Sequence, residues 1–168
     1  MHVRCENRCD YQAIAKLYQL AFERESEANL VESIRLSERY IPELALVAEL
    51  DGAVVGHILF SYIDILGQET KQVLGLAPLA VQPKFQRQGI GSTLVQVGLE
   101  VASARGESLV IVLGYPQFYS RFGFESSVNY GISSPFLAPP GSFMVKPLKN
   151  YHSRYRGKVI YPPAFNGV

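Results

Sequence analysis

Apolar residues at Ile14, Leu17, Tyr18, Ala21 and Phe22 recur at i, i+3, i+4, i+7 and i+8, the spacing of one face of an α-helix. Asp10 stands just before this run and is the expected N-cap. A polar stretch over 23–27 leads to a second helical pattern with Leu30, Ile34 and Leu36 inward, and Pro42 lies beyond its end. A weakly signalled first strand is expected within residues 1–8. Residues 44–50 read as a strand, Asp51-Gly52 as a hairpin turn, and 54–65 as the partner strand, broken by Gly56. After Gly67 the chain returns through 73–81, so three antiparallel strands precede a glycine-rich turn over 86–91. Beyond it Leu94, Val95, Val97, Leu99 and Val101 mark a helix over 89–104 that ends near Gly106. The unbroken apolar run 109–113 suits a buried strand. A short helix over 117–122 stops at Gly123, and 143–148 reads as a last strand. Prolines at 135, 139, 140, 147, 162 and 163 punctuate the final third, and 135–141 is expected to be a loop within the domain.

The strand 76–81, the glycine turn and the following helix together change what this pattern means. Glycine lacks a Cβ, so Gly89 and Gly91 let a ligand approach the backbone. The first N–H groups of a helix have no intrahelical partner and lie at the positive end of its dipole. The combination is suited to a phosphate or pyrophosphate. A P-loop would carry Lys directly after its second glycine, whereas Ser92-Thr93 follow Gly91 here. A dinucleotide fingerprint would carry a third glycine at the position of Leu94. Both are excluded. What stands is Gln86-Arg87-Gln88-Gly89-Ile90-Gly91, of the form Q/R-x-x-G-x-G/A.

Composition narrows the partners. A chain of 168 residues is expected to be one domain with a full core. A net charge of +1 gives no basic stripe for nucleic acid and no attraction to an anionic membrane. Cys5 and Cys9 lack the further Cys or His partners a zinc site needs, and the histidines at 2, 57 and 152 have no ligand spacing, so two reduced thiols and no metal are expected. The N-terminus has no apolar signal core and no run approaches a membrane span, which points to the cytoplasm.

The glycine motif resembles the acetyl-CoA signature of the GCN5-related N-acetyltransferases (GNAT family). The order β-α-α-β-β-β-α-β-α-β over about 10–148 is similar to the fold of that family, with 149–168 as a C-terminal extension. Tyr119-Ser-Arg-Phe-Gly-Phe124 is similar to its Y-x-x-x-G-F segment, and 157–165 look like the terminal segment of a subgroup of small bacterial acetyltransferases. The resemblance implies an α/β (α+β) domain whose mixed, mostly antiparallel sheet is flanked by helices and split beside 76–81. Acetyl-CoA would be the cosubstrate, its pantetheine arm pairing with Leu79, Ala80 and Val81. Its pyrophosphate would lie on amides of Arg87, Gln88, Gly89, Ile90, Gly91 and Ser92, with a charge-assisted contact from Arg87. The chemistry implied is direct attack by an amine of a small molecule or peptide on the thioester. The Val81 N–H would stabilise the oxyanion, and Tyr119 would give the leaving thiolate its proton.

Other roles stay open. The strand 76–81 carries no carboxylate to serve as base, so Glu49, His57 and Ser61 on the preceding hairpin are the candidates. His57 is favoured for its intrinsic pKa, acting directly or through water; the alternative is a structural strand histidine. Tyr119 has the alternative of a core aromatic. The family often carries Asn where Val112 stands, and Tyr115 is the candidate substitute on the cofactor. The acceptor pocket would draw on 22–40, with Glu23, Glu25, Glu27 and Glu32, and on 126–168, with Tyr151, Arg154, Tyr155, Arg156, Tyr161 and Phe165. The second set suits a pocket wall or a homodimer interface. A non-catalytic acyl-CoA-binding or sensing domain is the rival reading.

Overall fold

The computed structural model describes residues 1–167. In chain order the elements are β1 (His2–Cys5), α1 (Tyr11–Phe22), α2 (Ser26–Arg35), β2 (Ala45–Leu50), β3 (Ala53–Leu66), β4 (Thr70–Val81), α3 (Ile90–Ala104), β5 (Leu109–Leu113), α4 (Pro116–Tyr119), β6 (Glu125–Ser126), β7 (Ile132–Ser133), β8 (Phe143–Pro147) and β9 (Gly157–Ile160), with short 3-10 turns between some of them. The sheet is mixed and mostly antiparallel; the parallel pairings are β4 with β5 and β7 with β9. The residues gather into two compact units, and the chain passes between them within β3, β4 and α3 and after Pro162.

The first unit holds residues 1–61, 77–101 and 163–167. Here β1, β2 and β3 form an antiparallel meander, Val3 facing Ala48 and Val47 facing His57. Asp51 and Gly52 both have positive φ, +50° and +81°, as a tight hairpin turn of the expected kind requires. One face of α1 (Ile14, Leu17, Tyr18) and one of α2 (Leu30, Val31, Ile34) bury themselves on Ala45, Val47, Leu59 and Ala80. The 3-10 turn Pro163–Phe165 packs on α2, adding Ala164 and Phe165 to this core.

The second unit holds residues 62–76 and 102–162. Its parallel β4–β5 ladder contains only two pairs, Leu74 with Val110 and Gly75 with Ile111, and β4 continues past the ladder's end to Val81. β5 pairs antiparallel with β8, and β8 with β6. β9 runs antiparallel to the end of β3 and parallel to β7.

Several expectations are corrected. Leu36 is 84% exposed, because it stands two residues after Ile34, on the opposite face of the helix from Leu30 and Ile34. Asp10 makes no cap bond to α1. Its carboxylate instead closes a capping box with Asn7 and receives both terminal nitrogens of Arg4, at 2.8 and 3.0 Å. Gly56 does not break β3, and the register irregularity lies beside Ala48 and Glu49. The short strands β6, β7 and β9 were not expected.

Gly98 of α3 faces the ring of Phe60, which a Cβ there would overlap. Gly98→Ala is therefore expected to lose about 1–3 kcal/mol of stability by overpacking, measured by chemical denaturation. Unchanged stability would contradict this close approach.

Candidate active site

The end of β4 and the start of α3 lie together in the first unit. Gln82 N–H donates to Val55 O of β3 at 2.8 Å, and its side-chain amide donates to Val54 O at 3.3 Å. Backbone groups alternate sides along an extended strand, so the N–H and C=O of Val81 turn to the edge away from β3. There Gln86 Nε2 donates to Val81 O at 3.0 Å, which folds the loop back on the strand. The side chain of Ala80 enters the core, while Leu79 and Val81 are half-buried. Of this trio only the backbone is common to all as a ligand surface.

The loop itself is open. Gln86, Arg87, Gln88 and Gly89 are exposed, and nothing lies within 4 Å of where a Gly89 Cβ would stand. Arg87 and Gly89 take left-handed backbone conformations, φ +63° and +86°. Gly89 O accepts both the N–H of Thr93 at 3.0 Å and its hydroxyl at 2.9 Å, fixing the first turn of α3. The N–H groups of Ile90 and Gly91 precede that first helical bond and lie at the positive end of the dipole. Ile90 is buried, and with Leu94 it packs against Gly56, where a Cβ would approach to 3.1 and 3.0 Å. The helix start is thereby seated on β3. Arg87 makes no ion pair among the described residues. Exposed amides, a free guanidinium and an unobstructed approach fit a pyrophosphate.

His57 lies elsewhere than a cleft-facing base would. It has no solvent exposure, and both ring nitrogens are engaged: Nε2 with Glu6 Oε1 at 2.7 Å and Nδ1 with the Tyr18 hydroxyl at 2.8 Å. A base for a bound amine must reach it or a connecting water, so direct proton abstraction by His57 does not fit this position. Burial pushes its pKa down, against the opposing pull of Glu6. Burial would raise the Glu6 carboxyl, but bonds from His57, Arg35 and Tyr40 outweigh it and hold it at about 2. Arg35 donates to Glu6 twice, at 2.8 and 3.0 Å, and Tyr40 at 2.7 Å. Of the other base candidates, Glu49 is reached by Arg4 at 3.4 Å. Ser61 is buried with no hydrogen-bond partner for its hydroxyl among the described residues. Glu6, Tyr18, Arg35 and Tyr40 were not expected around His57. The sequence marks Tyr18 only as a core position of α1.

Tyr119 and Tyr115 belong to the second unit. Tyr119 ends α4, 8% exposed, edge-on to Phe118 and Phe124 with centroids 4.9 and 5.5 Å away, and its ring lies against Gly114. Its hydroxyl has no hydrogen-bond partner among the described residues, and burial pushes its pKa up, so it keeps its proton at neutral pH. Tyr115, 80% exposed, caps the same helix. Among the acceptor-side acids, Glu27 is buried and paired with Arg24, while Glu23, Glu25 and Glu32 are exposed. In the tail, Tyr151 contacts Tyr130 and Tyr155, and Lys71 lies over the Tyr155 ring.

With this geometry in view, the relatives are informative. A model described as the acetyltransferase (GNAT) family matches residues 11–124. The uncharacterized N-acetyltransferase YhbS of Escherichia coli strain K12 is 37% identical over 146 residues, 86% of this chain and 86% of that protein. The crystal structure of YhbS from Escherichia coli in complex with CoA superposes with a TM-score of 0.88 at 34% identity, covering 98% of this chain and 91% of that one. A GNAT family acetyltransferase from Brucella melitensis, in complex with acetyl-CoA, superposes with a TM-score of 0.81 at 30% identity, covering 98% and 97%.

The titration of the buried cluster has a definite sign. The unfolded Glu6 carboxylate takes up a proton near 4.5 and the folded one only near 2. Its contribution, roughly 3 kcal/mol, is complete above 4.5 and is lost as pH falls toward 2. His57, held neutral below its usual 6.5, acts in the same direction on acidification. Stability measured by denaturant is therefore expected to fall from pH 7 to pH 3.5, with the His57 ring still mainly neutral and protonated on Nε2 at pH 6.5 by NMR. A flat profile, or a His57 that titrates above 6.5, would contradict this.

Proposed function

Because this chain belongs to the acetyltransferase (GNAT) family and is an acyltransferase, we propose that it moves the acetyl group of acetyl-CoA onto a primary amine of a small molecule or a protein. The observation that carries the reading is the exposed loop over 86–89, with Gly89 open to approach and Arg87 in no ion pair among the described residues, seated at the start of α3. The CoA and acetyl-CoA in the two structural relatives support the same cosubstrate here.

In this reading the edge of β4 away from β3 receives the pantetheine arm through the backbone of Leu79 and Val81. The amides of Gly89, Ile90 and Gly91 face the pyrophosphate, and Arg87 adds a charge-assisted contact. The attacking amine must be neutral, although a free alkylamine has a pKa near ~10, so a base or water chain takes its proton. As the amine attacks, negative charge grows on the thioester oxygen, and the Val81 N–H donates to it. A placed donor of this kind is worth a few kcal/mol, about 3. When the C–S bond breaks, Tyr119 gives its proton to the sulfur. Its unpartnered hydroxyl and raised pKa suit a donor that must stay protonated until that moment.

The test is release of CoA from acetyl-CoA against a panel of small amines and of peptides bearing free amino groups. Turnover with at least one amine is expected, and Tyr119→Phe is expected to lower kcat by about tenfold or more with acetyl-CoA affinity held within about twofold. Failure to bind acetyl-CoA would overturn the reading of the loop. An unchanged kcat in Tyr119→Phe would remove the acid role.

A further inference from the structure

We propose that Tyr18 is a positioning residue for acetyl transfer, its hydroxyl set against β4 at Pro78 by the buried Glu6–His57 pair. The proposal rests on the acetyl-transfer reading above and adds a residue on α1 that makes no contact with the reacting atoms.

The chain of contacts starts at a carboxylate. Glu6 has a side chain with no solvent exposure, and its oxygens receive Arg35 twice, Tyr40 and His57. An ionised carboxylate only accepts hydrogen bonds, so the His57 proton sits on Nε2. Nδ1 is then an acceptor, and the Tyr18 hydroxyl, 2.8 Å away, donates to it. The imidazole stands edge-on to the Tyr18 ring with centroids 5.5 Å apart, and Phe22 stacks on the ring at 6.1 Å. Ring and hydroxyl are both held.

The fixed hydroxyl oxygen lies 3.2 Å from Pro78 O on β4 and 3.3 Å from His57 O on β3. One group from α1 therefore meets both strands at a single point. Proline has no N–H to give to a neighbouring strand, so at residue 78 the ladder cannot supply the tie that it supplies elsewhere. There the Tyr18 oxygen, its one proton committed to Nδ1, packs against Pro78 O three residues before Val81, whose N–H is aimed at the reacting oxygen. A displacement near 1 Å at such a donor costs about a hundredfold in rate, so fixing β4 here bears on the chemical step rather than on cofactor affinity, which is carried by the loop.

Tyr18→Phe keeps the ring and removes only the hydroxyl. In the coupled assay, well below the melting temperature, kcat is expected to fall about tenfold with KM for acetyl-CoA within about twofold. His57→Asn places an acceptor where Nδ1 stood, while His57→Gln places its amide toward Glu6. The Asn variant is expected to keep at least threefold more activity than the Gln variant, as a role merely in core stability would not require. The hydrogen-exchange rate of the Gln82 amide, which ties the end of β4 to Val55 O of β3 at 2.8 Å, is expected to rise about tenfold in Tyr18→Phe. That measurement needs no acceptor, so it tests the link to β4 even if the wild-type protein turns over no amine in the panel. A Tyr18→Phe variant with unchanged kcat, or with unchanged exchange at Gln82, would overturn the proposal.

Discussion

The charge of Glu6, sealed from water, has to be balanced from inside the protein, and much of the first unit is arranged to do so. An ionised carboxylate moved out of water carries a penalty of several kcal/mol. Here it is answered by a bidentate arginine from the end of α2, a tyrosine from the loop that follows, and a histidine from β3. These partners come from positions 29, 34 and 51 residues away in sequence. The apolar faces of α1 and α2 would pack on the sheet in several registers, but the carboxylate accepts only the one that brings these groups to it. Losing a partner from such a pair typically costs about 3–5 kcal/mol, far more than an exposed ion pair contributes.

From this fixed centre the order passes outward to a loop that is itself exposed. Tyr18 relays the position of His57 to β4, Gln82 ties the end of β4 to β3, and Gln86 ties the loop to Val81. Gly56 lets Ile90 and Leu94 settle on the sheet. An anion-binding loop needs unobstructed amides, and unobstructed amides have little packing of their own. Here the rigidity comes from the two elements that the loop joins, while residues 86–89 stay exposed.

The parts of the fold legible in the sequence are those in which many residues repeat one period. α1, α2, the Asp51-Gly52 hairpin, α3 and the apolar β5 announce themselves in this way. The strands β6, β7 and β9 are two to four residues long and are set by long-range pairing, β6 with β8, β9 with β3 and β7 with β9, which no local pattern encodes. Leu36 shows the opposite case, an apolar residue two positions after Ile34 that falls off the helical period and is exposed. At the site, the glycine turn was legible because its chemistry is local: spacing, a preceding strand and a following helix. Tyr119 stands out in the sequence through Y-x-x-x-G-F, and its role as the acid belongs to the proposal. The setting of His57 was not, since it is made by burial, which pushes the ring's pKa down, and by contacts with Glu6, from a weakly signalled first strand, and with Tyr18, whose spacing looks only like core. A histidine beside a glycine on a strand carries no mark of whether it meets solvent or a buried carboxylate.

The claim on which the rest turns is that the start of α3 holds a pyrophosphate. Titration calorimetry with acetyl-CoA and with S-acetylpantetheine, which has the same thioester arm but no phosphate or adenosine, separates the arm from the rest of the cofactor, and the salt dependence marks the share carried by the phosphates. The account predicts that acetyl-CoA binds at least about a hundredfold more tightly, on the order of 3 kcal/mol, and that this gap narrows as salt is raised. Equal affinity for the two would contradict it, because the loop over 86–91 would then contribute nothing to recognition.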